Sequence, residues 1–162
     1  EYLHKMQKMG LPLLRKDFLF HPLQIEQTAS TPASALLLIV RMFSGPEEVQ
    51  LLGRLLSRSN ELGLEAAVEV FDEQDLETAR RIKAGIIQVN NRDLDTLQVD
   101  MNTSRRLVRQ KQDSEIWICA SGIKSGQDVE EMADSGFNAC LVGTSLMSAP
   151  DPEAMLKSLT GS

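Results

Sequence analysis

The chain has 162 residues, of which 42% are hydrophobic and 25% are charged, a balance typical of a globular domain rather than a disordered or fibrous chain. Its 17 basic and 23 acidic side chains give a formal charge of −6, whereas a nucleic-acid-binding protein usually carries a basic excess. The longest apolar run, residues 35–40, is far shorter than the roughly 20 residues needed to span a bilayer. We therefore expect neither a nucleic-acid partner nor a membrane partner.

Short apolar runs alternate with longer amphipathic stretches along the whole chain. Continuous apolar runs are typical of parallel strands that are covered on both faces. The pattern predicts six strands, at residues 11–19, 35–40, 65–71, 85–90, 115–121 and 139–146.

The stretches between the strands carry helix-start signals, namely proline in the first turn or a capping side chain. These signals predict helices that begin near Pro22, Pro46, Asp72, Asn102, Ser125 and Pro152, and residues 1–9 are expected to be the end of an earlier helix. After Pro46, apolar residues repeat at helical spacing and predict one buried face: Val49, Leu51, Leu52, Leu55 and Leu56.

This regular alternation predicts an α/β fold with a parallel sheet, either an open doubly wound sheet or a barrel. A closed eight-unit barrel typically needs about 250 residues, so six units fall short of closure. No linker divides the chain. We expect a single, partial barrel domain over residues 1–162, with upstream material missing.

Two charged residues interrupt apolar strands, where an unpaired charge would be costly. Glu69 stands in the third predicted strand and Lys16 in the first. Each is either half of a structural ion pair or a working acid or base. One lysine and one glutamate that face one pocket would supply an acid/base pair.

Small residues follow the last two predicted strands, at Ser121-Gly122 and Gly143-Thr144. Such turns let backbone N–H groups approach a ligand, and paired turns after the final strands form the common phosphate site of barrel enzymes. Either glycine alone would indicate only a turn, but the two together favour a phosphate site.

The two cysteines, Cys119 and Cys140, lie inside apolar runs without the spacing of metal ligands. We expect buried, reduced thiols, which favour a cytoplasmic protein.

Seven segments, in order, resemble the indole-3-glycerol phosphate synthase family, from about Leu11 to Pro152. They are Leu13-Leu14-Arg15-Lys16-Asp17-Phe18, Leu36-Leu37-Leu38-Ile39-Val40, Val68-Glu69-Val70, Val89-Asn90-Asn91-Arg92-Asp93-Leu94, Val99-Asp100-Met101-Asn102-Thr103, Ser121-Gly122-Ile123 and Leu141-Val142-Gly143-Thr144-Ser145-Leu146-Met147. The Arg15–Phe18 block disfavours another phosphate-binding barrel enzyme, phosphoribosylanthranilate isomerase.

The resemblance implies a (β/α)₈ barrel and a carboxy-lyase of tryptophan biosynthesis that needs no metal or organic cofactor. It would close the ring of 1-(2-carboxyphenylamino)-1-deoxyribulose 5-phosphate, giving indole-3-glycerol phosphate, CO₂ and water. Lys16 would be the general acid, and Glu69 would act in the dehydration. The other implied roles are orientation of substrate polar groups by Asn90, pocket lining by Phe18, Leu37, Arg92 and Leu94, and phosphate binding by Ser121, Gly122, Gly143 and Thr144.

The chain departs from the family's pattern in two ways. Its strands resemble the third to eighth of the barrel, so the first strand, which in relatives carries another Lys and Glu of the site, is missing. Ala120 stands where the family usually has Glu. These departures leave open a truncated or degenerate phosphate-binding protein without activity. If the chain really starts at Glu1, exposed sheet edges predict self-association.

Overall fold

The computed structural model describes residues 2–161 and contains six strands and eight α-helices. The strands are β1 (Leu14–Arg15), β2 (Ala35–Ile39), β3 (Glu65–Val70), β4 (Ile86–Asn90), β5 (Ile116–Ala120) and β6 (Ala139–Leu141). The helices are α1 (Tyr2–Met6), α2 (Pro22–Ala29), α3 (Pro46–Glu61), α4 (Glu73–Arg81), α5 (Asn102–Leu107), α6 (Gly126–Asp134), α7 (Thr144–Met147) and α8 (Pro152–Thr160). Short 3₁₀ turns cover Gln7–Met9, Val40–Met42 and Val108–Gln110.

All six predicted strands are present; four agree with the prediction to within one residue at each end, and the first and the last are much shorter than expected. The first strand, predicted over residues 11–19, is present only as β1, Leu14–Arg15. Its later start is explained by Pro12, which has no N–H to donate to a neighbouring strand. The last prediction, 139–146, is wrong beyond Leu141 because Gly143 ends the extended segment as the N-cap of α7. The predicted helix over residues 1–9 is present as α1 and the following 3₁₀ turn, with Glu1 outside the described residues.

The chain divides into two compact units. The first contains the chain up to Val70 together with Gln74–Ile86, and the second contains Phe71–Glu73 and the chain from Ile87 onward. The prediction of a single domain stays a prediction.

In the first unit, β1, β2 and β3 lie side by side and parallel. The register of β2 and β3 runs from Ala35 opposite Glu65 to Ile39 opposite Glu69. Helix α3 covers this sheet with its predicted apolar face, since Leu52, Leu55 and Leu56 are buried.

In the second unit, β4, β5 and β6 follow one another in the sheet, and β5 and β6 are parallel. Trp117 on β5 is fully buried and packs against the ring of Phe137, with 6.0 Å between the ring centroids. Its indole N–H donates to the Glu115 carboxylate at 2.9 Å, so the polar end of this large side chain is satisfied.

Helix starts follow the predicted chemistry. The side chain of Ser125 accepts a hydrogen bond from the backbone N–H of Asp128 at the start of α6, and Asp151 caps α8 in the same way. Within residues 2–161, no helix is long and apolar enough to cross a membrane.

Candidate functional site

At the end of β1 in the first unit, the neighbouring side chains of Arg15 and Lys16 point to opposite faces of the sheet, as strand geometry requires. The Arg15 guanidinium faces α2, where it donates to the Thr28 hydroxyl at 2.8 Å and to the Gln24 carbonyl at 3.2 Å. It also pairs with Asp17 at 3.2 Å. The intervening residue, Lys16, therefore projects from the other face.

Lys16 meets Glu69 on that face. The Lys16 Nζ lies 3.6 Å from the Glu69 Oε2, and the lysine side chain is 48% exposed whereas the glutamate side chain is only 4% exposed. This distance is that of an ion pair and is longer than a good hydrogen bond. The two charged residues singled out in the sequence are thus brought together, with the amine half in solvent and the carboxylate buried.

Two predicted pocket residues of the first unit differ in burial. Leu37 is fully buried on β2, opposite Ala67, so side-chain alternation places it one layer below Glu69 on the same face. Phe18, in contrast, is 59% exposed just beyond β1. Its ring is an apolar surface available to a ligand.

The end of β4 in the second unit holds a buried amide. Asn90 is 7% exposed, and its Oδ1 accepts from the Ser121 hydroxyl at 2.8 Å and from the Arg92 backbone N–H at 3.0 Å. Two donors on the oxygen fix the orientation of the amide, so its NH₂ group points away from both of them.

The Ser121-Gly122 turn adopts a conformation that is unusual for L-residues. Ser121 has φ +67° and Gly122 has φ +93°. A Cβ atom added at Gly122 would lie 2.5 Å from the Met101 sulfur and 3.0 Å from a Val99 methyl carbon. Glycine is therefore required at position 122 by backbone conformation and by close approach of side chains.

A second asparagine, Asn91, is fully buried beside this turn. Its Nδ2 donates to the Ser121 carbonyl oxygen at 2.9 Å, and its Oδ1 accepts from the Ser104 backbone N–H at 2.9 Å. The Nδ2 also lies 3.3 Å from the Met101 sulfur and 3.4 Å from the Cys119 sulfur. One side chain thus links the end of β4, the first turn of α5 and the turn after β5.

The cysteines stand side by side on β5 and β6, and both are free. A hydrogen bond from the Cys140 thiol lowers the pKa of Cys119 to about 7, with further contributions from Ser104 and Asn91, while burial opposes the shift. The same contact raises the pKa of Cys140. Cys119 is fully buried as predicted, whereas Cys140 is partly exposed.

The second small-residue turn, Gly143-Thr144, lies beside the first. The Ser145 hydroxyl donates to the Ile123 carbonyl oxygen at 2.5 Å, which joins the segment after β6 to the segment after β5. The structure therefore brings together the two turns that the sequence predicts to bind phosphate.

The loop after β4 carries the remaining predicted residues, Arg92 and Leu94. The Arg92 guanidinium donates to the Leu97 carbonyl at 3.0 Å, and the Asp93 carboxylate accepts from the N–H groups of Asp95 and Thr96 at 2.8 Å. Leu94 is 37% exposed at the tip. Internal hydrogen bonds therefore give this loop a defined shape.

The predicted site residues form two groups. In the first unit Lys16 and Glu69 are in contact, with Leu37 on the face of Glu69; in the second unit Asn90 contacts Ser121 and Arg92, and a hydrogen bond joins the two glycine turns. No three His, Cys, Asp or Glu side chains of residues 2–161 are arranged to hold a metal ion.

Sequence reasoning gave no role to Asn91, Met101 or Ser145, although all three stand in segments of the family resemblance. The sequence contains one signal for Asn91: it is a second asparagine directly after Asn90 at the end of a predicted strand.

Comparison with known proteins gives a consistent result. The family model described as indole-3-glycerol phosphate synthase matches residues 1–159. The indole-3-glycerol phosphate synthase of Syntrophobacter fumaroxidans is 41% identical over 151 residues, which cover 93% of this chain and 56% of that protein. The Aquifex aeolicus enzyme of the same name is 40% identical over 157 residues, covering 96% of this chain and 60% of that protein.

Solved structures resemble the fold with little sequence identity. The 3-hexulose-6-phosphate synthase of Salmonella typhimurium superposes with a TM-score of 0.80 at 14% identity, covering 97% of this chain and 75% of that one. Together with the family match, this confirms the predicted barrel-family α/β fold class with six β/α units. The chain spans 56% of the length of the Syntrophobacter relative.

Proposed function

Since the chain belongs to the indole-3-glycerol phosphate synthase family, we propose that it catalyses the reaction that gives the family its name. The substrate is 1-(2-carboxyphenylamino)-1-deoxyribulose 5-phosphate, and the products are indole-3-glycerol phosphate, CO₂ and water. The chain would act as a carboxy-lyase of tryptophan biosynthesis. The free thiols of Cys119 and Cys140 support a cytoplasmic location.

The observation that carries the proposal is the 3.6 Å contact between Lys16 Nζ and Glu69 Oε2. A half-exposed ammonium group can reach a bound ligand, and the buried carboxylate lies beside it at ion-pair distance. Lys16 would donate a proton to the substrate carbonyl oxygen. The aromatic ring carbon that bears the carboxylate then attacks the carbonyl carbon, and the carboxylate leaves as CO₂.

The second half of the reaction removes the hydroxyl group formed in the ring closure. That hydroxyl leaves as water, and the ring nitrogen carries positive charge as it does so. Glu69 would stabilise this charge or accept the proton that is released. Its burial in an apolar strand favours this role because few water molecules are available to screen its charge.

The substrate's polar groups and its phosphate need binding groups, and the second unit supplies candidates. Asn90 has a fixed amide that would orient substrate oxygens. Arg92 and Leu94 of this unit would contact the substrate, as would Phe18 and Leu37 in the first unit. The turns at Ser121-Gly122 and Gly143-Thr144 would bind the phosphate through backbone N–H groups. The turn conformation and the absence of a side chain at Gly122 support this role, since successive backbone N–H groups in turns can form concave anion sites.

The proposal is tested by the fluorescence of indole-3-glycerol phosphate formed by the purified chain. Lys16→Ala removes the acid, and Glu69→Gln keeps the shape of the side chain but removes its charge. Each is expected to lower turnover by about 10²- to 10⁴-fold, the usual contribution of a positioned acid or base.

Lys8→Ala is the matched control, since it removes an exposed lysine of the same unit. It should keep wild-type turnover, and circular dichroism should show that all variants remain folded. A wild-type chain without measurable product formation would contradict the proposal. Unchanged turnover in both Lys16→Ala and Glu69→Gln would contradict the assigned roles.

A further inference from the structure

We infer that Asn91 is a positioning residue of the phosphate site: its side-chain amide holds Ser121 in the conformation that the proposed phosphate turn requires. The inference rests on the proposed function, because it assumes that the turn binds phosphate. Asn91 itself is fully buried, so it would act through Ser121 rather than on the phosphate directly.

The first step of the argument is the conformation of Ser121. At φ +67° a serine backbone is strained, and such a residue keeps this conformation only where its surroundings hold it. The Asn91 Nδ2 binds the carbonyl oxygen of this same residue at 2.9 Å. That hydrogen bond fixes the peptide plane between Ser121 and Gly122, whose other end is the Gly122 N–H.

The second step concerns the side chain of Ser121. Its hydroxyl donates to the Asn90 Oδ1 at 2.8 Å. Consecutive asparagines therefore hold Ser121 from two sides, Asn90 through the hydroxyl and Asn91 through the carbonyl. A change at Asn91 would reach both the phosphate turn and the amide proposed to orient the substrate.

The third step is the anchoring of Asn91 itself. Its Oδ1 accepts from the Ser104 backbone N–H at 2.9 Å, and its Nδ2 lies 3.3 Å from the sulfur of Met101. Met101 in turn packs over Gly122, where a Cβ atom would meet its sulfur at 2.5 Å. The first turn of α5 thus anchors Asn91 through the Ser104 N–H, and Met101, the N-cap of α5, covers the Ser121-Gly122 turn.

The Asn91 amide donates to Ser121 through its Nδ2 and accepts from Ser104 through its Oδ1. A substitution can therefore remove the donor and keep the acceptor. Asn91→Asp keeps an oxygen for the Ser104 N–H but, when ionised, places a second acceptor against the Ser121 carbonyl. We expect the affinity for inorganic phosphate, measured by calorimetry, to fall at least about tenfold near pH 8, the size of one lost buried hydrogen bond.

Lowering the pH tests the lost donor, because a loss of affinity that came from a lasting change of packing would not be reversed by protonation. The introduced carboxyl group, once protonated, can again donate to the Ser121 carbonyl. The ratio of variant to wild-type phosphate affinity should therefore rise towards one between about pH 8 and about pH 5, a range over which burial and the facing carbonyl raise the pKa of such a group. The ratio removes the titration of phosphate itself. The Cys119 thiol, with its pKa of about 7 and its sulfur 3.4 Å from the Asn91 Nδ2, titrates in the same range, so both proteins are also compared in a Cys119→Ala background.

Trp117→Phe is the matched control, since it breaks another buried hydrogen bond of the same unit, to Glu115. It should lower stability without changing phosphate affinity. As a second measurement on the wild-type chain, the Asn91 side-chain amide resonances should shift on phosphate addition with the same dissociation constant as the Gly122 backbone amide.

The outcomes separate this inference from the proposed function. Wild-type phosphate binding with equal affinity in Asn91→Asp, or an affinity ratio that does not change with pH, would overturn the role of Asn91 alone. If Asn91→Asp does not fold, the absence of a phosphate-dependent shift at the Asn91 amide would overturn it. A wild-type chain that binds no phosphate would overturn the proposed phosphate site and this inference together.

Discussion

The Lys16–Glu69 pair and the Ser121-Gly122 turn are built in opposite ways. The pair depends on one 3.6 Å contact, and its lysine is half exposed. The turn is held by hydrogen bonds from buried side chains and is covered by packed apolar groups. A proton donor must move and exchange its proton, whereas an anion site must have its N–H groups in place before the ligand arrives. The difference in construction matches the difference between the tasks proposed for them.

The largest loss of stability should come from adding a side-chain carbon at Gly122, where the side chains of Met101 and Val99 already lie close. Gly122→Ala adds a Cβ atom 2.5 Å from the Met101 sulfur and forces alanine to φ +93°. We expect the free energy of unfolding to fall by about 2–4 kcal/mol, combining overpacking with backbone strain. Urea unfolding followed by tryptophan fluorescence measures this change.

Gly136→Ala separates the two contributions. Gly136 has φ +108°, yet the nearest atom to an added Cβ is 3.8 Å away. This control should cost only the backbone strain, about 1–2 kcal/mol. Equal losses in the two variants would mean that the turn yields easily, and the contrast with the Lys16–Glu69 pair would then fail.

A smaller effect compares neighbouring residues of the first unit. Arg15→Met removes a guanidinium that binds Thr28, Gln24 and Asp17, and should cost about 1–3 kcal/mol. Lys16→Met removes a half-exposed amine at ion-pair distance and should cost less than about 1 kcal/mol.

Chemical denaturation of both variants decides between the interpretations of Glu69 that its sequence leaves open. If Lys16→Met were as destabilising as Arg15→Met, the Lys16–Glu69 contact would be a structural ion pair. The expected result, a small loss of stability beside a large loss of turnover, indicates a functional pair.

The sequence predicted the strands and the charged pair because these signals are local. Lys16 and Glu69 stand out as charges within apolar runs, and a charge in such a run favours a polar or charged partner. The end of the last strand was not predictable in this way, since the apolar residues around Gly143 fit a strand and a helix equally well. Only the structure places the start of α7 at Thr144.

The role of Asn91 was beyond the reach of sequence reasoning for a different reason. Its partners, Ser104 and Ser121, lie 13 and 30 residues away along the chain. Both hydrogen bonds are made to backbone groups, which other residue types also carry, so the identity of the two serines does not reveal them. The pattern showed two asparagines after a strand, and only tertiary structure distinguishes their tasks.

The smallest expected effect is a pH-dependent change in stability that comes from Asp128, shortly after the Ser121-Gly122 turn. Helix α6 begins shortly after the Ser121-Gly122 turn. The Asp128 carboxylate accepts hydrogen bonds at 2.9 Å from the backbone N–H groups of Lys124 and Ser125 and from the Ser125 hydroxyl. The bond from the Lys124 N–H, followed by those from Ser125, lowers the pKa of Asp128 against the opposing effect of burial. Folding therefore favours the ionised form.

The sign of the pH dependence follows from this direction. The stabilisation is complete above the unfolded value of about 4 and is lost as the pH falls through the lower pKa of the folded state. Asp128→Asn should lower the urea midpoint at pH 7, and its difference from wild type should shrink below about pH 4. Asp134→Asn, which changes an exposed charge at the end of the same helix, should leave the midpoint at pH 7 near wild type. A difference between Asp128→Asn and wild type that persists undiminished into strong acid would show that ionisation of this carboxylate does not stabilise the segment after the turn.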